Sequence, residues 1–170
     1  MNRRWVVNTS PLILLSKIGY LHLLTDLCAE LVIPKGVIDE LFFHKEEQLR
    51  WELFLSSKKV ISLKDHLQIH SGIAGWDLGK GESEVITFAV EHPGYDVILD
   101  DLQARKCAHT FNLYVRGTVG IILTAKKKKL VVEASPLIKL LIESGLRFDI
   151  NWITQALELV NERFEIRKTE

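Results

Sequence analysis

GESEVITFAVEHPGYDVILDDLQARKCAHTF, residues 81–111, is the stretch that decides the fold. Residues 82–91 predict a helix, and Pro93-Gly94 ends it. Residues 96–99, with the apolar run Val97-Ile98-Leu99, then read as a short strand closed by Asp100, with Asp101 next to it, and 103–111 predicts the next helix. A strand set between two helices is the unit from which parallel sheets covered by helices are built.

The same unit recurs outward in both directions. Upstream, Trp5-Val6-Val7 is a strand ending at Asn8. Thr9 or Ser10 then caps a helix with Pro11 in its first turn, and Leu12, Ile13, Leu15, Ile18 and Leu21 give its apolar period, broken at Gly19. Residues 30–33 are a second strand stopped by Pro34; helices follow over 36–43 and 49–55, and a strand over 60–63. Residues 64–81 are the least regular, with His66, His70, Trp76 and several glycines. Downstream, 113–115 is strand-like, and 118–128, 137–144 and 151–164 are helical. The expected fold class is α/β, a three-layer α/β/α arrangement around a mainly parallel central sheet. It forms one domain over residues 1–170, with a helical C-terminal addition over about 137–170.

The chain carries 22 basic and 22 acidic residues, a formal charge of zero, and is 47% hydrophobic. Its length allows a core without disulfide or metal staples. Any contact with a polyanion must come from a local patch rather than from overall charge. Cys28 and Cys107 sit among apolar residues without CxxC spacing, which predicts reduced core thiols in a cytoplasmic protein. No run approaches the ~18 apolar residues of a membrane span and no signal peptide is evident, so a soluble protein with no membrane partner is expected.

In open parallel sheets, ligands bind outside the carboxyl ends of the strands. Asn8 and Asp100 close strands there, and Glu40 and Glu82 lie on helices that can face the same rim. Two unit charges about 4 Å apart repel by roughly 4 kcal/mol at an effective dielectric near 20. If these four groups meet, a hard divalent cation that prefers oxygen donors is the natural occupant, and phosphodiester hydrolysis is the chemistry it supports.

Each residue also has a plain structural reading. Asn at a strand end bonds local backbone in turns. Glu40 beside Asp39 suits a solvated helix face, and Glu82 or Glu84 suits the dipole of a first helical turn. Either Asp100 or Asp101 can cap the following helix. The lysines at 126–129 offset a dipole at a helix end or bind phosphate. His66 and His70 have the spacing of a zinc pair only if helical, and lack a third ligand. LGKGES at 78–83 does not have the GxxxxGK[ST] pattern of a phosphate-binding loop. The stripe Trp152, Ile153, Ala156, Leu157, Val160 and Phe164 reads as core packing or, where exposed, as a partner surface.

Five segments resemble a known family in their order and spacing. They are VVNTSPLILLSKIG (6–19), IPKGVIDEL (33–41), LGKGESEVITFA (78–89), VILDDLQARKCA (97–108) and RGTVGIILTAKKKK (116–129). They resemble the PIN domain, in its toxin-like prokaryotic ribonuclease branch and in a subfamily with Asn at the first acidic position. The tail LIESGLRFDINWITQAL (141–157) is similar to that subfamily's C-terminal helices. The resemblance implies an endoribonuclease dependent on Mg²⁺ or Mn²⁺, the metal held by Asn8, Glu40, Glu82 and Asp100. Asp101 and Glu84 would be supporting acids, and Thr118 a hydroxyl beside the site. Asn8 stands where PIN nucleases usually have aspartate: it keeps an oxygen donor and removes one negative charge. Arg105 and Arg116 are candidate contacts for an RNA phosphate. The resemblance further implies a toxin held by a small antitoxin protein, in a group where homodimers are common. The competing expectation is a weak or inactive PIN fold that binds RNA or a protein without cutting. A third, a phosphohydrolase acting on small phosphate esters, lacks the DxDxT sequence of its commonest α/β form.

Overall fold

Arg4–Val7 (β1) is buried from Trp5 onward, as a strand must be when helices cover both faces of its sheet. The computed structural model describes residues 3–43 and 47–164. After β1 the chain runs through α1 (Thr9–Lys17), α2 (Leu23–Leu27), β2 (Glu30–Ile33), α3 (Lys35–Phe42), α4 (Gln48–Leu55) and β3 (Val60–Ser62). It continues through α5 (Ser71–Ala74), α6 (Lys80–Glu91), β4 (Tyr95–Ile98), α7 (Leu102–Thr110), β5 (Val115–Arg116) and α8 (Thr118–Lys127). Two further helices, α9 (Ser135–Glu143) and α10 (Ile150–Glu158), follow.

The five strands are all parallel, in the order β3-β2-β1-β4-β5. Val6 pairs with Val32 on one side and Val97 on the other. From β1 the chain steps outward through β2 to β3, then returns past β1 to lay down β4 and β5. The order therefore reverses between β1 and β4, and a switch point of this kind opens a crevice at the carboxyl ends of the two strands. The Asn8 N–H extends the pairing by one residue, donating to the Ile98 carbonyl at 3.1 Å. Asn8 and Asp100 thus follow the ends of two neighbouring strands at that crevice. Ile138 and Leu141 of α9, and Ile153 and Leu157 of α10, are fully buried in the same core as the sheet.

The helix–strand alternation holds, with local differences that have physical causes. Helix α1 starts at Thr9, with Asn8 at the capping position making no side-chain cap. Thr9 and Ser10 do not cap it, because their hydroxyls bond carboxylates across the rim. The predicted break at Gly19 is a left-handed turn (φ +79°) that leads into a separate short helix, α2, not foreseen from the sequence. Strand β5 covers Val115–Arg116 rather than 113–115. His66 and His70 are not on a helix: His70 caps α5 by accepting the Gly72 N–H at 3.1 Å, while His66 turns to Glu84. Helix α10 ends at Glu158, and the Glu162 carboxylate folds back onto the N–H groups of Ala134 and Ser135 and onto Lys126. Residues 165–170 of the expected C-terminal addition lie outside the described residues. Cys28 and Cys107 are free and buried, and burial pushes the Cys28 thiol up to about 11. Among the described residues no helix is long and apolar enough to cross a membrane.

Candidate functional site

Strand β4 delivers Asp100 to the crevice. Leu99 before it is fully buried, so the chain leaves the core at the carboxylate itself. Its Oδ1 accepts the Thr118 N–H at 2.7 Å, and its Oδ2 accepts the Thr118 hydroxyl at 2.6 Å and the Ser10 hydroxyl at 3.3 Å. Thr118 is the fully buried first residue of α8, so the N-terminus of that helix fixes the carboxylate with a backbone and a side-chain donor together. Gly117 makes the approach possible: a Cβ there would lie 3.1 Å from Asp100 Oδ1 and 2.8 Å from Arg105 Nη1. Arg105 Nη1 is tied to the Leu99 carbonyl at 3.0 Å. Asp101 is exposed and caps α7, its Oδ1 accepting the Ala104 N–H at 2.8 Å.

Across the crevice, Asn8, Glu40 and Gly81 form a second group. Glu40 accepts the Thr9 hydroxyl through Oε2 and the Gly81 N–H through Oε1 at 3.2 Å. Asn8 is 5% exposed, and its buried Oδ1 accepts no hydrogen bond among the described residues. A buried acceptor left unpaired costs about 1–3 kcal/mol, so it calls for a donor or a cation. Gly81 leaves the room for one. A Cβ at Gly81 would meet Glu40 Oε1 at 2.9 Å, Asn8 Oδ1 at 3.1 Å and Glu40 Oε2 at 3.1 Å.

Glu82 and Glu84 share the first turn of α6 but have different surroundings. Glu82 folds back so that Oε2 accepts the Gly79 N–H at 3.1 Å. Burial raises its pKa, and so do the charges of Asp101 and Glu40, against the lowering effect of the Gly79 N–H. The charges that act on Glu82 thus come from both sides of the acidic rim, Asp101 beyond β4 and Glu40 on α3. Glu84 is fully buried and points elsewhere: its Oε2 accepts the Gly36 N–H at 2.8 Å and its Oε1 accepts from His66 Nδ1 at 2.7 Å. It clamps the start of α3 to α6, and α3 carries Glu40.

The rim therefore gathers Asn8 with Glu40 on one side and holds Asp100, Thr118 and Ser10 on the other, with Glu82 and Asp101 nearby. Among the described residues no three His, Cys, Asp or Glu side chains come together closely enough to hold a metal. The donors present are nevertheless carboxylate and amide oxygens with one buried acceptor unpaired, a set that suits a hard cation such as Mg²⁺ or Mn²⁺. Arg116 is turned away from this group. Its Nη1 donates to Thr124 Oγ1 at 2.9 Å, its Nη2 to the Tyr114 hydroxyl at 3.3 Å, and its stem packs beside Gly120. Sequence reasoning missed Thr9 and Ser10 as bridges, Gly81 as the gap, and Arg147 and Trp152, which line clefts shared with Asp100. The small residues gave one usable signal, a hydroxyl pair directly after a strand-end Asn.

No curated protein matches the chain. A family model described as a PIN domain matches residues 4–162, which takes in the whole sheet and both C-terminal helices. PIN domains have a nuclease-type fold and generally use divalent metal ions. The chain belongs to the PIN domain family.

Proposed function

We propose that the protein is an endoribonuclease that hydrolyses RNA phosphodiester bonds with Mg²⁺ or Mn²⁺ at the β1–β4 crevice. The observation that carries this reading is the buried, unpaired Asn8 Oδ1 beside Glu40, in a gap that only a glycine at position 81 leaves open. In this reading Asn8, Glu40, Glu82 and Asp100 hold the metal, with Asp101 in support. Bound there, the ion supplies charge neutralisation at the phosphate and a water of lowered pKa. Thr118 holds Asp100 oriented through two short hydrogen bonds, so that the carboxylate needs no reorganisation when the charge on the phosphate develops. Glu84 and His66 set the height of α3 and thereby of Glu40. Arg105, held behind Asp100, is the better placed of the two predicted phosphate contacts, because Arg116 is engaged by Thr124 and Tyr114. A toxin role, with a small antitoxin partner and a homodimer, rests on the sequence resemblance.

A second reading has its own support. The amide at Asn8, which brings one negative charge fewer to the rim than an aspartate would, favours a PIN fold that binds RNA or a protein and cuts weakly or not at all.

Cleavage of a cellular RNA pool by purified protein, in Mg²⁺ or Mn²⁺ against EDTA and with Asp100→Asn in parallel, separates the two. The nuclease reading expects metal-dependent cutting that falls by roughly a hundredfold or more in the variant. Its melting temperature should move little, since an asparagine amide oxygen still accepts the Thr118 N–H. Metal binding without turnover would select the binding module, and undiminished cutting by the variant would remove Asp100 from the site.

A further inference from the structure

The clefts flanking Asp100 are walled by a segment that the hydrolytic chemistry does not use. The connection between α9 and α10 turns at Gly145 (φ +108°) and carries Leu146 and Arg147 opposite Asp100 and Leu102. Two cavities of about 530 and 400 Å³ meet there, and those four residues line both. One cavity runs toward Ser10 and Ile13 of α1, the other toward Gly117, Val119 and Trp152. Together they make a trough that passes the carboxylate on both sides.

Three features give the trough a ligand chemistry. Arg147 is exposed and makes no hydrogen bond or ion pair among the described residues, unlike Arg105, Arg116, Arg3 and Arg50. Trp152 is 49% exposed, although Ile153 next to it is fully buried. Its backbone is fixed in the first turn of α10, where its N–H donates to Asp149 Oδ1 at 3.1 Å. Leu102, 66% exposed, adds an apolar floor. Among the described residues, the carboxylates lining the Trp152 cavity are Asp100 and Asp149, and Asp149 is occupied as the α10 cap.

An indole face held open, a free guanidinium and an apolar floor are what an unpaired nucleic-acid strand needs: a base stacks on the ring and a phosphate pairs with the fork of N–H donors. In a duplex the base faces are not available to the indole. With zero net charge on the chain, strand capture has to come from local groups of this kind. We propose that the trough is a subsite for single-stranded RNA flanking the cut phosphate, with a base on Trp152 and a backbone phosphate on Arg147. The proposal rests on the nuclease reading for its position relative to the cut, but its binding chemistry is separate.

The test uses a short fluorescein-labelled unstructured RNA and full-length protein carrying Asp100→Asn, which prevents turnover. Anisotropy should report binding that weakens about tenfold in Trp152→Ala and in Arg147→Ala, each relative to the Asp100→Asn parent. Trp152→Phe and Arg147→Lys should recover most of it. The RNA should quench tryptophan emission far more in the parent than in Trp152→Phe, because Trp5 and Trp51 are buried and the partly buried Trp76 lines neither cavity. The same sequence as a duplex should bind at least tenfold more weakly. Melting curves check that each variant folds. If wild-type protein cuts RNA but the Ala variants bind like the parent, the subsite is overturned and the nuclease stands. If nothing is cut yet binding depends on Trp152 and Arg147, the nuclease reading falls and the subsite stands. If the single strand is not bound at all, both fall.

Discussion

On the β4 side of the crevice, Asp100 accepts three hydrogen bonds from Thr118 and Ser10; on the β1 side, the more deeply buried Asn8 Oδ1 accepts none. One side is satisfied by the chain itself. The other leaves an acceptor whose partner has to come from outside, next to a Glu40 carboxylate already turned toward it. The rim is therefore half preorganised and half held in reserve. Fold stability should then respond to a cation chiefly through the Asn8 side, while the hydrogen bonds that hold Asp100 are made with or without it. A ligand that binds only the folded state raises its stability in proportion to the logarithm of occupancy, so melting temperature reads this directly.

Thr118→Val carries the largest expected effect. It removes the hydroxyl bonded to Asp100 Oδ2 at 2.6 Å, at a fully buried position where valine matches the shape. A hydrogen bond to a charged group contributes about 1.5–3 kcal/mol, which lowers the melting temperature of a chain this size by roughly 4–10 °C. The loss should be similar in EDTA and in Mg²⁺. A loss that appears only with the metal would mean that Asp100 is not locked by the chain.

Asn8→Asp attacks the other side. The new carboxylate would sit with Glu40 around the Gly81 gap, where charges about 6 Å apart repel by roughly 3 kcal/mol at a dielectric near 20. Glu40 is exposed, so solvent should reduce the cost to about 1 kcal/mol. Without a cation the variant should melt lower than wild type, and Mg²⁺ should raise it by more than it raises wild type. Equal response of the two proteins would show that position 8 does not meet the ion.

Gly81→Ala should produce a smaller net change. Alanine gains up to about 1 kcal/mol in helix propensity over glycine. Its Cβ would stand 2.9 Å from Glu40 Oε1, and that carboxylate, being the exposed end of a flexible side chain, can shift aside. The two effects nearly cancel in the metal-free protein, whereas the Mg²⁺-induced rise in melting temperature should be lost. An unchanged response to Mg²⁺ would place the ion away from the gap.

Which parts of this were legible in the sequence depends on how local their causes are. Strands β1, β2 and β4 were readable because short apolar runs end at Asn8, Pro34 and Asp100, each a residue that stops a strand. Parallel pairing followed from the alternation with helices. The roles of Glu82 and Glu84 were not readable, since both suit a first helical turn. Two residues apart on a helix, they face different directions, and the partner that fixes Glu84, His66, comes from an irregular loop. Arg116 was misleading for a related reason. Adjacency to Thr118 in sequence says nothing of direction on a two-residue strand, and Tyr114 and Thr124 decide it. Trp152 fell into the apolar stripe of its helix, yet it lies one position before the buried Ile153 and so off the packed face. What a periodicity cannot tell is which edge residue of the stripe is left in the open.

Glu82→Gln should have the smallest effect, and its sign is the informative part. Burial, with the charges of Asp101 and Glu40, raises the Glu82 pKa above its ordinary 4.5 in spite of the Gly79 N–H bond. A folded state that holds this proton more tightly than the unfolded chain is favoured at low pH. That advantage is complete below the unfolded value and is lost as pH rises through the folded one. At neutral pH wild type therefore carries an ionised Glu82 at a cost, kept under about 1 kcal/mol because the group is partly open to water. Glutamine has no charge at any pH and still offers an oxygen to the Gly79 N–H. In EDTA the variant should melt slightly above wild type at about pH 7 and level with it below about pH 4. In Mg²⁺ the order should invert, because an ion on the rim stabilises the ionised carboxylate that the variant lacks. If glutamine lowers stability at neutral pH without metal, the acidic rim is not under repulsive strain, and the case for a cation there loses its electrostatic basis.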